Sequence, residues 1–170
     1  WIQTEAAGSA RPGQFISMYT NDGSKLLPRP ISICEIDKEG GKLRVVYRVT
    51  GEKTGTEEFS QMKAGDTIPV IGPLGNGFPF EKAEGKKVFL MGGGIGVPPI
   101  LELAKQMECE KKQIVVGYRD AHTFLKEEFE QAGELYISTE DGSVGTKGNV
   151  MDAIRENALE ADMIYACGPT

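Results

Sequence analysis

The chain has 170 residues, a hydrophobic fraction of 39% and a formal net charge of −6, enough sequence to bury a core as one domain or two small ones. No basic run is available to neutralise a phosphate backbone, which argues against nucleic acid as a partner. No stretch approaches the roughly 20 apolar residues of a membrane span and no signal peptide opens the chain, so the expectation is a soluble, cytoplasmic protein with no membrane partner.

The first elements are β. Between residues 14 and 71 the apolar residues fall in short runs, 15–19, 31–36, 43–49 and 67–71, separated by turn signals such as Asn21-Asp-Gly-Ser and Glu39-Gly-Gly. One short helix is predicted near 56–62, and the pattern reads as a small antiparallel barrel or sandwich. Past Leu74-Gly-Asn-Gly-Phe-Pro-Phe and the charged stretch 81–87, strands at 88–91, 114–118, 135–138 and 163–166 alternate with helices near 99–108, 124–131 and 150–159. Right-handed crossovers then build a parallel sheet. Two domains are expected: an antiparallel β-barrel over residues 1–84 and an α/β parallel-sheet lobe over 85–170. Trp1-Ile-Gln-Thr has strand character with no preceding turn, and Cys167-Gly-Pro-Thr170 stops where a helix would begin. Both ends read as cut from a longer polypeptide.

The main chemical signal is Gly92-Gly-Gly94-Ile-Gly96-Val-Pro98-Pro99, which follows an apolar strand and opens a helix. Glycines let the backbone approach a pyrophosphate, and the free N–H groups of a new helix favour its charge. Prolines suit a first helical turn, where a missing N–H costs nothing. The same glycines also serve close packing, so this run alone leaves both readings open. Ligands of open parallel sheets lie beyond the carboxyl ends of the strands, which singles out the loops 92–98, 119–123, 139–147 and 167–170.

In the first half, Pro28 and Pro30 stiffen the chain around Arg29, whose guanidinium can hold a diphosphate, and Ser32 follows on the same run. An exposed edge-strand arginine is the alternative. Thr54 or Thr56 can cap the short helix, or the free N–H groups there can take a phosphate. Arg119 suits a 2′-phosphate and Asp120 a ribose 2′-hydroxyl, so the two point opposite ways. His122 is the only histidine and reads as a solvated loop residue. The stretch 140–148 reads as a flexible acidic loop that gates dinucleotide entry or as a solvated turn. Cys34, Cys109 and Cys167 are widely spaced and form no C-x-x-C pair, so neither a disulfide framework nor a metal site is assigned.

An Arg-x-x-Ser strand, a Gly-Thr helix start, a G-x-G-x-G-x-x-P turn and a late Cys-Gly-Pro, in this order, resemble the ferredoxin–NADP reductase superfamily over nearly the whole chain. Arg-Pro-Ile-Ser, Tyr-Arg-Val, Gly-Pro-Leu-Gly-Asn-Gly-Phe, Gly-Gly-Gly-Ile-Gly-Val-Pro-Pro and Tyr-Ala-Cys-Gly-Pro are most similar to the electron-transfer subunits of type B dihydroorotate dehydrogenases. The resemblance implies a six-stranded antiparallel barrel that carries FAD, followed by a lobe that binds NAD. It places Arg29 on the FAD diphosphate, Pro30 and Ile31 beside the cofactor, Ser32 near flavin N5, and Val46, Tyr47 and Arg48 along it. Many superfamily members carry an aromatic residue where this chain has Ile31. Gly55 and Thr56 would meet the FAD phosphates; the spacing from Gly51 is two residues longer than the family pattern, which leaves Lys53-Thr54 as the alternative. Gly93, Gly94, Ile95 and Gly96 would face the dinucleotide, and Cys167 and Gly168 the nicotinamide, with Ser32 and Cys167 nearest the redox chemistry.

By the same resemblance, electrons from NADH pass through FAD and a 2Fe–2S cluster to a dihydroorotate dehydrogenase catalytic subunit in pyrimidine biosynthesis. The four cluster cysteines of that family lie in a carboxy-terminal extension, beyond these residues. The rival readings are another flavin reductase, such as a ferredoxin–NADP reductase or a sulfide dehydrogenase subunit, and a nucleotide-binding regulatory module without redox chemistry.

Overall fold

Turn residues cut the first part of the chain into short strands, and in the computed structural model, which describes residues 1–169, those strands form one antiparallel sheet. The strands are β1 (Ile2–Gln3), β2 (Phe15–Met18), β3 (Arg29–Asp37), β4 (Lys42–Val45) and β5 (Val70–Leu74), in the order β1-β4-β3-β2-β5. Helix α1 (Gly55–Gln61) joins β4 to β5. One face of the sheet buries Ile16, Met18, Ile33 and Leu43 against Ala7, Ala10 and Phe59 of α1, and Ile31, Val45 and Val70 pack on the same cluster. Because side chains alternate along a strand, this face takes every second residue.

Three expectations shift here. The sheet is a half-barrel of five strands among the described residues, with β1 and β5 as its edges, where a six-stranded barrel was implied. The run 43–49 leaves the sheet after Val45, because Tyr47 turns edge-on to Phe59 of α1, with ring centroids 6.1 Å apart. The strand expected at 67–71 begins at Val70; before it, Pro69 contributes one carbonyl, 2.9 Å from the N–H of Tyr19. Proline has no N–H to extend that ladder.

The second unit is built on a parallel sheet in the order β10-β6-β7-β8-β9, from β6 (Lys87–Gly93), β7 (Lys111–Tyr118), β8 (Glu134–Thr139), β9 (Thr146–Lys147) and β10 (Met163–Cys167). Helices α2 (Pro98–Gln106), α3 (Lys126–Ala132) and α4 (Val150–Glu156) connect the strands. Val88, Leu90, Ile114, Val115 and Val116 are fully buried with Ile100, Leu101, Leu103 and Phe129 of the helices. Near-continuous apolar strands are what a sheet covered on both faces requires. α3 starts later than position 124 because Leu125 takes a left-handed conformation ahead of it. α4 starts where expected, on an Asn149–Asp152 capping box, and ends at Glu156, short of position 159.

The two compact units divide between Gly77 and Phe78, whereas the sequence pattern put the change at 84/85. Phe78 packs edge-on to Tyr165, Pro79 accepts a hydrogen bond from the Tyr165 hydroxyl at 3.0 Å, and Ala83 is buried. These residues therefore pack with the parallel sheet ahead of its first strand.

Candidate functional site

In the first unit, β3 begins at Arg29 and α1 begins at Gly55, and the fold sets one on the other. A Cβ at Gly55 would lie 2.8 Å from both Cζ and Nε of Arg29 and 2.9 Å from Cγ2 of Thr20. Only a residue without a side chain allows the guanidinium to rest against this helix start. Nη1 of Arg29 donates to the carbonyl of Leu27, which anchors the side chain to its own loop. The N–H groups of Gly55 and Thr56 lie in the first turn of α1, ahead of any intrahelical acceptor. Arg29 and the start of α1 thus meet, although 26 positions separate Arg29 from Gly55 in sequence.

The threonines around this point are used differently. Thr54 is the N-cap, and its hydroxyl accepts from the N–H of Glu57 at 3.2 Å. Oγ1 of Thr56 is turned inward, where it accepts from the N–H of Thr50 at 3.0 Å and lies 3.0 Å from Oγ1 of Thr54. The Thr56 hydroxyl braces the loop, leaving its backbone N–H as the group for a ligand. Thr20 was missed in the sequence; its role is steric, and a lone threonine beside a turn carries no signal of it.

Ser32 stands apart from this cradle. Strand alternation puts Arg29 on the face of Ile31 and Ile33, and Ser32 on the other with Pro30, opposite Phe15 of β2. Ile31 packs on the apolar cluster. Val46 and Tyr47 are half-buried beyond the end of β4, and Arg48 is exposed. Partial burial pushes the Tyr47 hydroxyl above its ordinary range, which keeps it protonated.

In the second unit, parallel pairing of β10 with β6 puts Cys167 level with Gly92. A Cβ on Gly96 would lie 2.4 Å from the carbonyl oxygen of Cys167 and 2.6 Å from Cα of Gly168. Gly168, at φ +151°, leaves no room for a Cβ either, which would fall 3.0 Å from the backbone of Gly93. The glycine turn and the Cys-Gly-Pro segment are therefore packed backbone on backbone. Gly94 differs: its φ is +53° and nothing lies within 4 Å of where its Cβ would be. Ile95 beside it is exposed. Desolvation pushes the Cys167 thiol up, so at neutral pH it is a neutral, polarisable wall rather than a thiolate.

Two loops at the carboxyl ends of the neighbouring strands are braced. After β7, the Asp120 carboxylate accepts from the backbone N–H of His122 at 2.9 Å and lies 2.7 Å from its Nδ1, and these bonds hold its carboxyl below the usual range. His122 is thus solvated yet paired, while Arg119 is exposed. After β8, Thr139 accepts from Val144 N–H and donates to the Val144 carbonyl, and Ser143 N–H donates to Asp141. Thr146 and Lys147 then pair with β8. The loop read as flexible is internally hydrogen-bonded, because side-chain oxygens of Thr139 and Asp141 substitute for ladder partners. Thr170, the last residue of the fourth loop, lies outside the described residues.

An antiparallel half-barrel followed by a parallel α/β sheet with a glycine turn is the ferredoxin–NADP reductase type of fold. The chain aligns with a chain of the NADH-dependent reduced ferredoxin–NADP oxidoreductase structure at TM-score 0.84 and 33% identity, covering 99% of this chain and 62% of that one. It shares the fold alone with a ferredoxin NADP+ reductase from Neisseria gonorrhoeae, at TM-score 0.69 and 17% identity over 92% of this chain and 72% of that one. No family model matches. By sequence the chain is similar to the electron transfer subunits of dihydroorotate dehydrogenase B (NAD+). It is 46% identical over 164 residues to the one from Bacillus caldolyticus and 47% identical over 165 to the one from Geobacillus sp. strain WCH70. These alignments cover 94% and 93% of the chain, which spans 63% of the length of either relative.

Proposed function

We propose that this chain is the flavin- and dinucleotide-binding part of an electron transfer subunit that takes electrons from NADH for a dihydroorotate dehydrogenase catalytic subunit, in the cytoplasm. The observation that carries the reading is the Arg29 guanidinium resting on Gly55, a cradle that any side chain at Gly55 would fill. A fixed guanidinium beside helix-start amides suits a diphosphate, whose paired charges it meets bidentately. The sequence relation favours this partner over other reductases, since identity is 46–47% to the named subunits and 33% to the oxidoreductase chain.

The residues fit FAD, which when bound would supply the exchange of electron pairs from a nicotinamide for single electrons. Arg29, with the N–H groups of Gly55 and Thr56, would hold its diphosphate, and Thr54 would remain the cap. Pro30, Ile31, Val46, Tyr47 and Arg48 would border the cofactor, with Ser32 able to donate to a ring nitrogen from the opposite sheet face. In the second unit, Gly94 would admit the NAD pyrophosphate, flanked by Gly93, Ile95 and Gly96, with Cys167 and Gly168 bounding the nicotinamide. The sequence relation to subunits named for dihydroorotate dehydrogenase B (NAD+) supports NAD over NADP.

The test is an anaerobic visible spectrum of the complete polypeptide with FAD, before and after NADH. Bleaching of a bound flavin supports the reading, and a bound flavin that ignores NADH points to another donor. Absence of bound flavin overturns the reading in favour of a non-redox nucleotide module. Arg29→Ala removes charge-assisted hydrogen bonds of about 1.5–3 kcal/mol, so FAD affinity is expected to fall roughly 10- to 100-fold in a fluorescence titration. Unchanged affinity would remove Arg29 from the site.

A further inference from the structure

β5 runs out into the turn Gly75-Asn76-Gly77, whose two glycines stand in left-handed backbone, at φ +84° and +72°. This turn is held from both sides. Nε2 of Gln14 donates to the Gly75 carbonyl at 2.7 Å, while a Cβ at Gly77 would lie 2.8 Å from the carbonyl oxygen of Pro12. Position 77 therefore admits only glycine unless the backbone moves. Asn76 is exposed, and among the described residues neither its side chain nor the Gly77 N–H has a hydrogen-bond partner. The other three asparagines are engaged. Nδ2 of Asn21 donates to the Thr67 carbonyl at 3.1 Å, Nδ2 of Asn157 donates to the Ala153 carbonyl at 2.9 Å, and Oδ1 of Asn149 accepts from Met151 N–H at 2.8 Å. Each of these is followed by a residue with a side chain, Asp22, Ala158 or Val150. The two Asp-Gly pairs are occupied as well, since Asp22 accepts from Ser24 N–H and Asp141 from Ser143 N–H, both at 2.9 Å. Bonds to these serines hold both carboxyls below the usual range, and an ionised carboxylate resists attack at its carbon.

We propose that Asn76-Gly77 is a site of spontaneous deamidation, created because the fold requires glycine directly after an unengaged asparagine. The Gly77 backbone nitrogen attacks Cγ of Asn76; an N–Cγ bond forms, the Cγ–Nδ2 bond breaks, and ammonia leaves with the amide proton. Water then opens the succinimide. Opening at Cγ gives aspartate and opening at the main-chain carbonyl gives isoaspartate, with no change of oxidation state in either. A following residue without Cβ leaves the attacking nitrogen unshielded, and asparagine is a thermolabile residue type. Both products add a negative charge to the turn. Isoaspartate also lengthens the main chain by one carbon between two glycines docked on Gln14 and Pro12, so it releases the turn from one of them.

The experiment incubates the complete polypeptide at neutral and at mildly alkaline pH, beside an Asn76→Gln variant and a free peptide spanning Pro73–Pro79. Peptide mass spectrometry and labelling by an isoaspartyl methyltransferase are the readouts. The expected result is the mass gain of an amide-to-acid exchange at Asn76 ahead of Asn21, Asn149 and Asn157, faster at the higher pH. Isoaspartyl label should appear at position 76 in the parent and be lost there in Asn76→Gln, whose side chain must close a larger ring. Residue 76 is exposed, so the variant is expected to fold, and circular dichroism checks it. No conversion in the protein overturns the proposal, even where the peptide converts, because the held turn would then keep the Gly77 nitrogen from Cγ. Conversion at Asn21, Asn149 or Asn157 as fast as at Asn76 overturns it too, since the free side chain would then carry no advantage. The isoaspartyl form, separated by ion exchange, should melt below an Asn76→Asp variant; equal midpoints remove the release of the turn and leave the modification site standing.

Discussion

Glycines that look alike in the sequence separate at the residue scale. Gly94 has φ +53° and open space beside it, whereas Gly96 is pressed on the backbone of Cys167. Gly94→Val forces a β-branched residue into left-handed backbone, at about 1–2 kcal/mol, and sets a side chain where a pyrophosphate would lie. It is expected to weaken NADH binding strongly with a small loss of thermal stability; unaltered NADH kinetics would refute this placement. Gly96→Ala drives a methyl group to 2.4 Å from the Cys167 carbonyl oxygen. Backbone on both sides must move, so about 1–3 kcal/mol of stability should be lost, seen as a lower thermal midpoint of the second unit. A midpoint equal to the parent's would show that the contact relaxes freely. The turn itself was legible from its glycines, but which of them is open and which is packed was not, because the register of a strand 75 positions further on decides it.

At the scale of elements, the loop before β3 is fastened to α1 by charges. Asp22 accepts from Ser24 N–H at 2.9 Å, and this hydrogen bond, with Lys25 nearby, holds its carboxyl down to about 2 from an ordinary 3.8. Glu58 is also held low, first by Lys25. A carboxylate whose folded pKa is depressed stabilises the fold above its unfolded value and loses that contribution as pH falls through the folded one. The fastening should therefore persist at pH 5 and above and fail between about pH 4 and 2. The amide resonance of Ser24, which donates to Asp22, should titrate over that window, and that of Asn21, which donates to Glu58, below the ordinary carboxylate range; amides that move near neutral pH instead would point to a different partner. Sequence periodicity located this helix within one residue, since Thr54, Glu57 and Glu58 are ordinary helix-start residues. It overran the strand before it, because the edge-on packing of Tyr47 on Phe59 takes the chain out of the sheet.

At the scale of the molecule, the described cysteines are dispersed. Cys34 is buried in the antiparallel sheet, Cys109 precedes the amino end of β7, and Cys167 closes the carboxyl end of β10. Among the described residues no cluster of His, Cys, Asp or Glu is placed to hold a metal. A 2Fe–2S cluster needs four ligands, so these 170 residues expressed by themselves should bind flavin without stoichiometric iron. Iron analysis beside the flavin spectrum checks this, and about two irons per chain would contradict it. No described helix is long and apolar enough to cross a membrane.

The sequence by itself determined the change from antiparallel strands to alternating strands and helices, and it marked Arg29, Gly55 and the glycine turn. These are local matters of hydrophobic period, turn chemistry and backbone freedom, which neighbouring residues decide among themselves. Only the tertiary structure decided that Arg29 rests on Gly55, that Thr56 turns its hydroxyl inward and that Gly96 meets Cys167. Each depends on the register and docking of elements far apart in the chain, and a contact between distant residues has no local pattern to carry it.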